Sequence, residues 1–136
     1  MKALLKLNRF LHILLALVLV LSIAACGPKG PAVTVVHVTL TEYSVTMDKT
    51  SIPAGPVKFI IENVGTIVHE FVLEPGGAHD EPFDNGGYES EAENIEPGAT
   101  ATLEWTITDP GTYQGSCYTP GHFEQGMTTT FTVTAP

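Results

Sequence analysis

Cys117, His122 and Met127 lie on one short stretch, Cys-Tyr-Thr-Pro-Gly-His-Phe-Glu-Gln-Gly-Met, with four residues between each pair. One loop therefore carries a thiolate, an imidazole and a thioether. A second imidazole, His69, stands 48 residues before the cysteine, in Val68-His-Glu-Phe-Val-Leu73. Two His, one Cys and a weakly held Met make the ligand set of a mononuclear blue-copper centre. Cu(I) favours soft sulfur, while imidazole suits both oxidation states. Two nitrogens and one thiolate in a near-trigonal arrangement need to change little when an electron arrives. A long axial thioether stabilises Cu(I) and helps raise the potential.

The spacing suits that chemistry. Three ligands on one loop between two strands converge from one end of a sandwich, and His69 on another strand completes the set. Pro120-Gly121 makes the bend that turns His122 back toward Cys117. Gly126 supplies the backbone freedom needed before Met127. Each residue alone has an ordinary reading: a buried small hydrophobe for Cys117, loop and strand positions for His122 and Met127. The combination, with Pro-Gly before the second His and a His-Glu-Phe-Val-Leu strand upstream, points to metal.

The elements that must position these ligands occupy only part of the 136 residues. Residues 1–9 carry Lys2, Lys6 and Arg9 and no acid, and 10–25 are apolar except for His12 and Ser22. A basic segment before a short apolar one is an export signal, and its run of about 16 residues is shorter than a membrane span needs. It ends in Ile23-Ala-Ala-Cys26, which resembles a bacterial lipobox. That implies cleavage before Cys26, a lipid on its sulfur and attachment to a membrane; an uncleaved anchor helix is the alternative. Either way the domain lies outside the cytoplasm, at the outer face of the cytoplasmic membrane or in the periplasm. With Cys26 so used, Cys117 has no disulfide partner, and metal ligation explains a lone exported cysteine.

Residues 27–32 form a short tether, and 33–136 are enough for one domain. From Cys26 onward fifteen acids face three bases, Lys29, Lys49 and Lys58, for a formal charge of −12. That excludes nucleic acid, whose binding needs a basic footprint; it fits solubility or a basic protein partner. Short β-rich runs separated by Gly/Pro turns fill the domain: 33–40, 43–47, 57–63, 68–73, 99–108, 112–116 and 127–134, with Ile52–Pro56 as a turn. They predict an all-β antiparallel sandwich. Residues 74–98, with eight acids and few apolar side chains, read as a long surface loop.

The chain resembles the cupredoxins, which include plastocyanin, azurin and auracyanin, and is most similar to small bacterial and archaeal members with a Cys-x-x-Pro-Gly-His-x-x-x-Gly-Met loop. The likeness spans roughly Val38 to Val133. It implies a Greek-key β-sandwich and one copper ion on His69, Cys117 and His122, with Met127 axial. The family's electron carriers commonly have Asn after the first His, where it braces the ligand loop. Glu70 stands there in this chain, as in less studied relatives linked to copper tolerance. The dinuclear centre built on this fold needs two Cys in the loop, which excludes it here. A single ligand set also argues against a multicopper oxidase, so no enzyme is expected.

His37, mid-strand among valines, reads as structural or surface. His79 with Asp80, Glu81 and Asp84 reads as solvated, with a weak second metal site as the alternative. Trp105, Phe59 and Tyr113 read as packed residues. Tyr118 and Thr119 shield the metal, and Phe123 offers an apolar edge for docking. Two functions follow from the resemblance. One is a membrane-tethered, monomeric electron shuttle between a cytochrome and a membrane oxidoreductase complex. The other is an extracytoplasmic copper-handling or copper-tolerance protein.

Overall fold

β-Branched side chains restrict their own χ1 and pack well on a pleated surface, and Val, Ile and Thr dominate the runs that become strands. The computed structural model describes residues 30 and 32–136. The expected signal segment 1–25, Cys26 and most of the tether lie outside the described residues. The strands, in chain order, are β1 (Thr34–Thr41), β2 (Ser44–Met47), β3 (Ser51–Pro53), β4 (Gly55–Asn63), β5 (His69–Pro75), β6 (Glu91–Ile95), β7 (Thr100–Ile107), β8 (Gly111–Ser116) and β9 (Thr128–Thr134). One sheet has the order β2-β1-β4-β7 and the other β3-β9-β8-β5-β6.

Alternation places Val36, Val38 and Leu40 of β1 and Val57, Phe59 and Ile61 of β4 in the core from one sheet. Phe71 and Leu73 of β5 and Phe131 and Val133 of β9 meet them from the other. The Phe59 ring joins the two layers, with centroids 5.4 Å from Phe71 and 6.1 Å from Phe131. Burying each such ring contributes about 1.5–3 kcal/mol relative to exposure.

Two expectations need correction. The sandwich is not purely antiparallel: β1 pairs with β4 in parallel, Val36 opposite Phe59, and β3 pairs with β9 in parallel. Parallel neighbours need a crossover connection; the segment through β2 and β3 supplies it, visiting the second sheet before β4 returns beside β1. β3 itself sits where the sequence predicts a turn.

Nor is 74–98 a single surface loop. Glu74 is fully buried at the end of β5, and Glu91–Ile95 is an edge strand paired with β5. Ser90 is also buried: its hydroxyl donates to Leu73 O and accepts the Phe83 N–H, pinning the segment to the sheet.

Candidate metal centre

β5 opens with His69, and β8 ends one residue before Cys117, so the two strands deliver an imidazole and a thiol to the same end of the second sheet. The ligand loop then folds on itself. The Thr119 carbonyl accepts the His122 N–H at 2.9 Å, with Pro120 and Gly121 between them and Gly121 at φ 84°. This is a type II turn, which needs positive φ at its third residue. A single 3-10 turn, Phe123–Gln125, follows, closed by Gly126 in the left-handed region with its N–H on Phe123 O. The loop ends are tied by the Cys117 N–H donating to Met127 O at 3.0 Å.

The result is a buried convergence of donor atoms. Nδ1 of His69 and Nδ1 of His122 are 3.1 Å apart; the Cys117 Sγ lies 3.4 Å from the second and 3.9 Å from the first. With bonds of about 2.0 Å to nitrogen and 2.3 Å to sulfur, a trigonal ion would hold N and N about 3.5 Å apart, and N and S about 3.7 Å. The three separations therefore match a shared metal position to within a few tenths of an ångström. His69, Cys117 and Met127 are fully buried, and His122 is 5% exposed. Met127 is tied to the same loop, its N–H donating to His122 O at 3.2 Å.

Electrostatics around the trio suits metal ligation. Burial holds the His69 imidazole below its ordinary range, and the neighbouring His122 pushes the same way, so the neutral, ligating form is favoured. The Glu70 N–H points at Cys117 Sγ at 3.5 Å, and Thr119 Oγ1 lies 3.4 Å from the sulfur. Glu70 Oε1 accepts the Tyr118 N–H at 2.6 Å, bracing the loop from the strand that carries His69. Burial pushes this carboxyl up, against the pull of that N–H.

A second carboxylate holds the same tyrosine. Buried Glu74 accepts the Tyr118 hydroxyl proton, an N–H of Gln114 at 2.9 Å and the Glu81 N–H at 3.1 Å. Burial acts to raise its pKa, but these hydrogen bonds outweigh it and hold the carboxyl below the usual range.

The structure brings together His69, Cys117, His122 and Met127, with Glu70, Pro120 and Gly121 in supporting positions. Phe123 is half-buried; its ring lies 4.7 Å from Tyr118 and from His79. His79 therefore packs on aromatic rings, and among the described residues the only cluster with metal-ligating geometry is His69, Cys117 and His122. His37 is exposed on β1. Phe59 is core, whereas Trp105 is only half-buried, against Tyr88 and Phe83.

Sequence reasoning missed three residues. Glu42 and Tyr43, at the β1–β2 turn, reach the site from the other sheet: Tyr43 meets the His122 ring edge-on at 5.2 Å, and Glu42 Oε1 lies 3.6 Å from His69 Nε2. Glu74 is the third, standing in the segment the sequence predicts as a surface loop. No local pattern signals any of the three, because each acts through the tertiary fold.

Comparison with known proteins agrees with this geometry. Residues 12–130 match a family described as a cupredoxin-like domain. The chain is 35% identical over 78 residues to the copper-resistant cuproprotein CopI of Rubrivivax gelatinosus, covering 52% of this chain and 47% of that one. It is 32% identical over 113 residues to the copper-resistant cuproprotein CopI of Vibrio cholerae, covering 74% and 66%. It thus spans about half to two thirds of the length of these relatives. Reduced auracyanin from the photosynthetic bacterium Roseiflexus castenholzii superposes with a TM-score of 0.60 at 22% identity, over 77% of this chain and 99% of that one. At that identity the likeness shows the fold.

Proposed function

This chain belongs to the cupredoxin-like family and binds copper through His69, Cys117, His122 and Met127; from that premise we propose that it acts outside the cytoplasm in copper tolerance. Copper held there supplies a one-electron Cu(II)/Cu(I) couple. The observation that carries the reading is the setting of the donor atoms: a buried N,N,S trio with the Glu42 carboxylate 3.6 Å from the outer nitrogen of His69. Negative charge at that range favours the more highly charged ion and so its retention as Cu(II). Both relatives named above are copper-resistance proteins, which supports the same reading.

A second reading is an electron shuttle, favoured by the preformed trigonal set and by His122 lying nearest the surface beneath Tyr43. The partner would be a cytochrome or membrane oxidoreductase complex, steered by the acidic surface, with Cys26 as the lipid tether. Neither reading includes a catalysed reaction.

Replacing Cys117 by Ser in the parent cell separates the two. Copper tolerance predicts slower growth only at raised copper. Slower growth at low copper, under conditions that demand respiration or photosynthesis, would overturn it in favour of the shuttle.

A further inference from the structure

We propose that Glu42 is a positioning residue of the copper centre, its carboxylate receiving the Nε2 proton of His69 so that Nδ1 is left as the metal-facing atom. The proposal rests on the copper site above. His69 is fully buried, and among the described residues its Nε2 is the one buried side-chain nitrogen or oxygen without a hydrogen-bond partner. A buried N–H left unpaired is destabilising, so a partner is expected. The Glu42 Oε1, at 3.6 Å, is the charged group facing it.

That carboxylate is held in place from elsewhere. Oε1 accepts the Thr66 N–H at 2.6 Å and the Ile67 N–H at 3.0 Å, with the Thr66 hydroxyl at 3.3 Å. Thr66 and Ile67 belong to the loop that leads into β5, so Glu42 ties the β1–β2 turn to the segment that aims His69. Gly65 leaves the room: a Cβ there would stand 2.6 Å from Oε1 and 2.8 Å from Oε2. The absence of that side chain is what lets the carboxylate lie against the loop.

At 3.6 Å the contact is a few tenths beyond hydrogen-bond length. The two Nδ1 atoms are 3.1 Å apart, closer than the roughly 3.5 Å a shared trigonal ion sets. A shift of a few tenths of an ångström between the His69 ring and the Glu42 carboxylate is enough to close the contact. Outer partners of this kind fix the tautomer and ring orientation of a ligating histidine and raise its basicity. The negative charge also acts more strongly on Cu(II) than on Cu(I).

E42Q tests this, because its amide oxygen can still accept the Thr66 and Ile67 N–H groups while the charge is lost. Outer-shell substitutions typically cost about 10–100-fold in metal affinity. A tenfold loss confined to Cu(II) raises a one-electron potential by about 59 mV, so the expected result is a rise of at least that size with the visible band retained. G65A, which displaces the carboxylate without removing it, shifts the potential in the same direction. A folded, blue E42Q with an unchanged potential overturns the proposal. Should E42Q not fold, nitrogen-correlated NMR of the unmodified Cu(I) protein decides. A slowly exchanging proton on His69 Nε2 that is shifted downfield, as a carboxylate partner requires, supports the proposal; a proton without that shift, or one that exchanges freely, overturns it. Failure of the unmodified protein to form a blue site would instead overturn the copper reading itself.

Discussion

Gly115→Ala probes how closely the two ligand-bearing strands must approach. Gly115 lies on β8, two residues before Cys117, opposite Leu73 of β5. A Cβ there would stand 2.3 Å from Phe71 Cε2 and 2.7 Å from Cζ. Phe71 is two residues past His69, fully buried, and packed against Phe59. Ordinary contact begins at 3.4 Å, so the ring or the strand must move by about 1 Å. The ring is fully buried against Phe59, and overpacking of this kind costs about 1–3 kcal/mol. Taking about 2 kcal/mol, the melting temperature of a domain of this size falls by about 9 °C. Thermal unfolding followed by circular dichroism measures it. Phe71→Leu removes the clashing ring edge, so the two substitutions must couple: the double variant should be at least about 1 kcal/mol more stable than the sum of the singles implies. A Gly115→Ala protein within about 0.5 kcal/mol of the parent, or no coupling to Phe71→Leu, would refute the packing argument.

Other consequences are checked more simply. Asn63 is fully buried and its amide donates to Ile67 O and Ile95 O, each at 2.8 Å, while its oxygen accepts the Gly65 N–H at 2.9 Å. Asn63→Ala leaves these groups unpaired next to the loop that aims His69. Urea unfolding should show a loss of about 2–4 kcal/mol, with copper affinity reduced as well. Glu91 has its pKa raised from 4.5 to about 7, by burial first and then by Glu93 and Glu89. The folded state therefore keeps a proton that the unfolded chain releases at lower pH, so this group lowers stability as pH rises from about 4.5 to 7. Glu91→Gln should melt higher than the parent at pH 8 and alike at pH 4; a gap that does not change with pH contradicts the assignment.

The ligands were legible in the sequence because three of the four sit on one loop, where spacing survives as a local pattern. Type II turn chemistry was equally local, written as Pro120-Gly121. What surrounds them was not. Glu42 comes from the opposite sheet across the β1–β2 turn, and Asn63 acts at the end of β4; only the tertiary fold brings either to His69. β6 escaped because Glu91-Ala-Glu-Asn-Ile95 has an acidic, low-propensity composition, which an edge strand tolerates since charge there discourages pairing with other chains. Glu74 looked like one more acid of a solvated segment, yet Tyr118, Gln114 and the Glu81 N–H satisfy it in the interior. The parallel pairings were hidden for a related reason: strand runs are visible one at a time, whereas the crossover through β3 is a property of three strands together.

The central claim is that His69, Cys117, His122 and Met127 hold one copper ion with sulfur bonded to the metal. Titrating Cu(II) into the purified domain while recording visible and EPR spectra tests it most directly. The account predicts saturation at one copper per chain, an intense visible thiolate-to-copper band and narrow copper hyperfine splitting, all lost in Cys117→Ser. Weak absorption with ordinary Cu(II) hyperfine splitting, unchanged by that substitution, would place the metal elsewhere and contradict it.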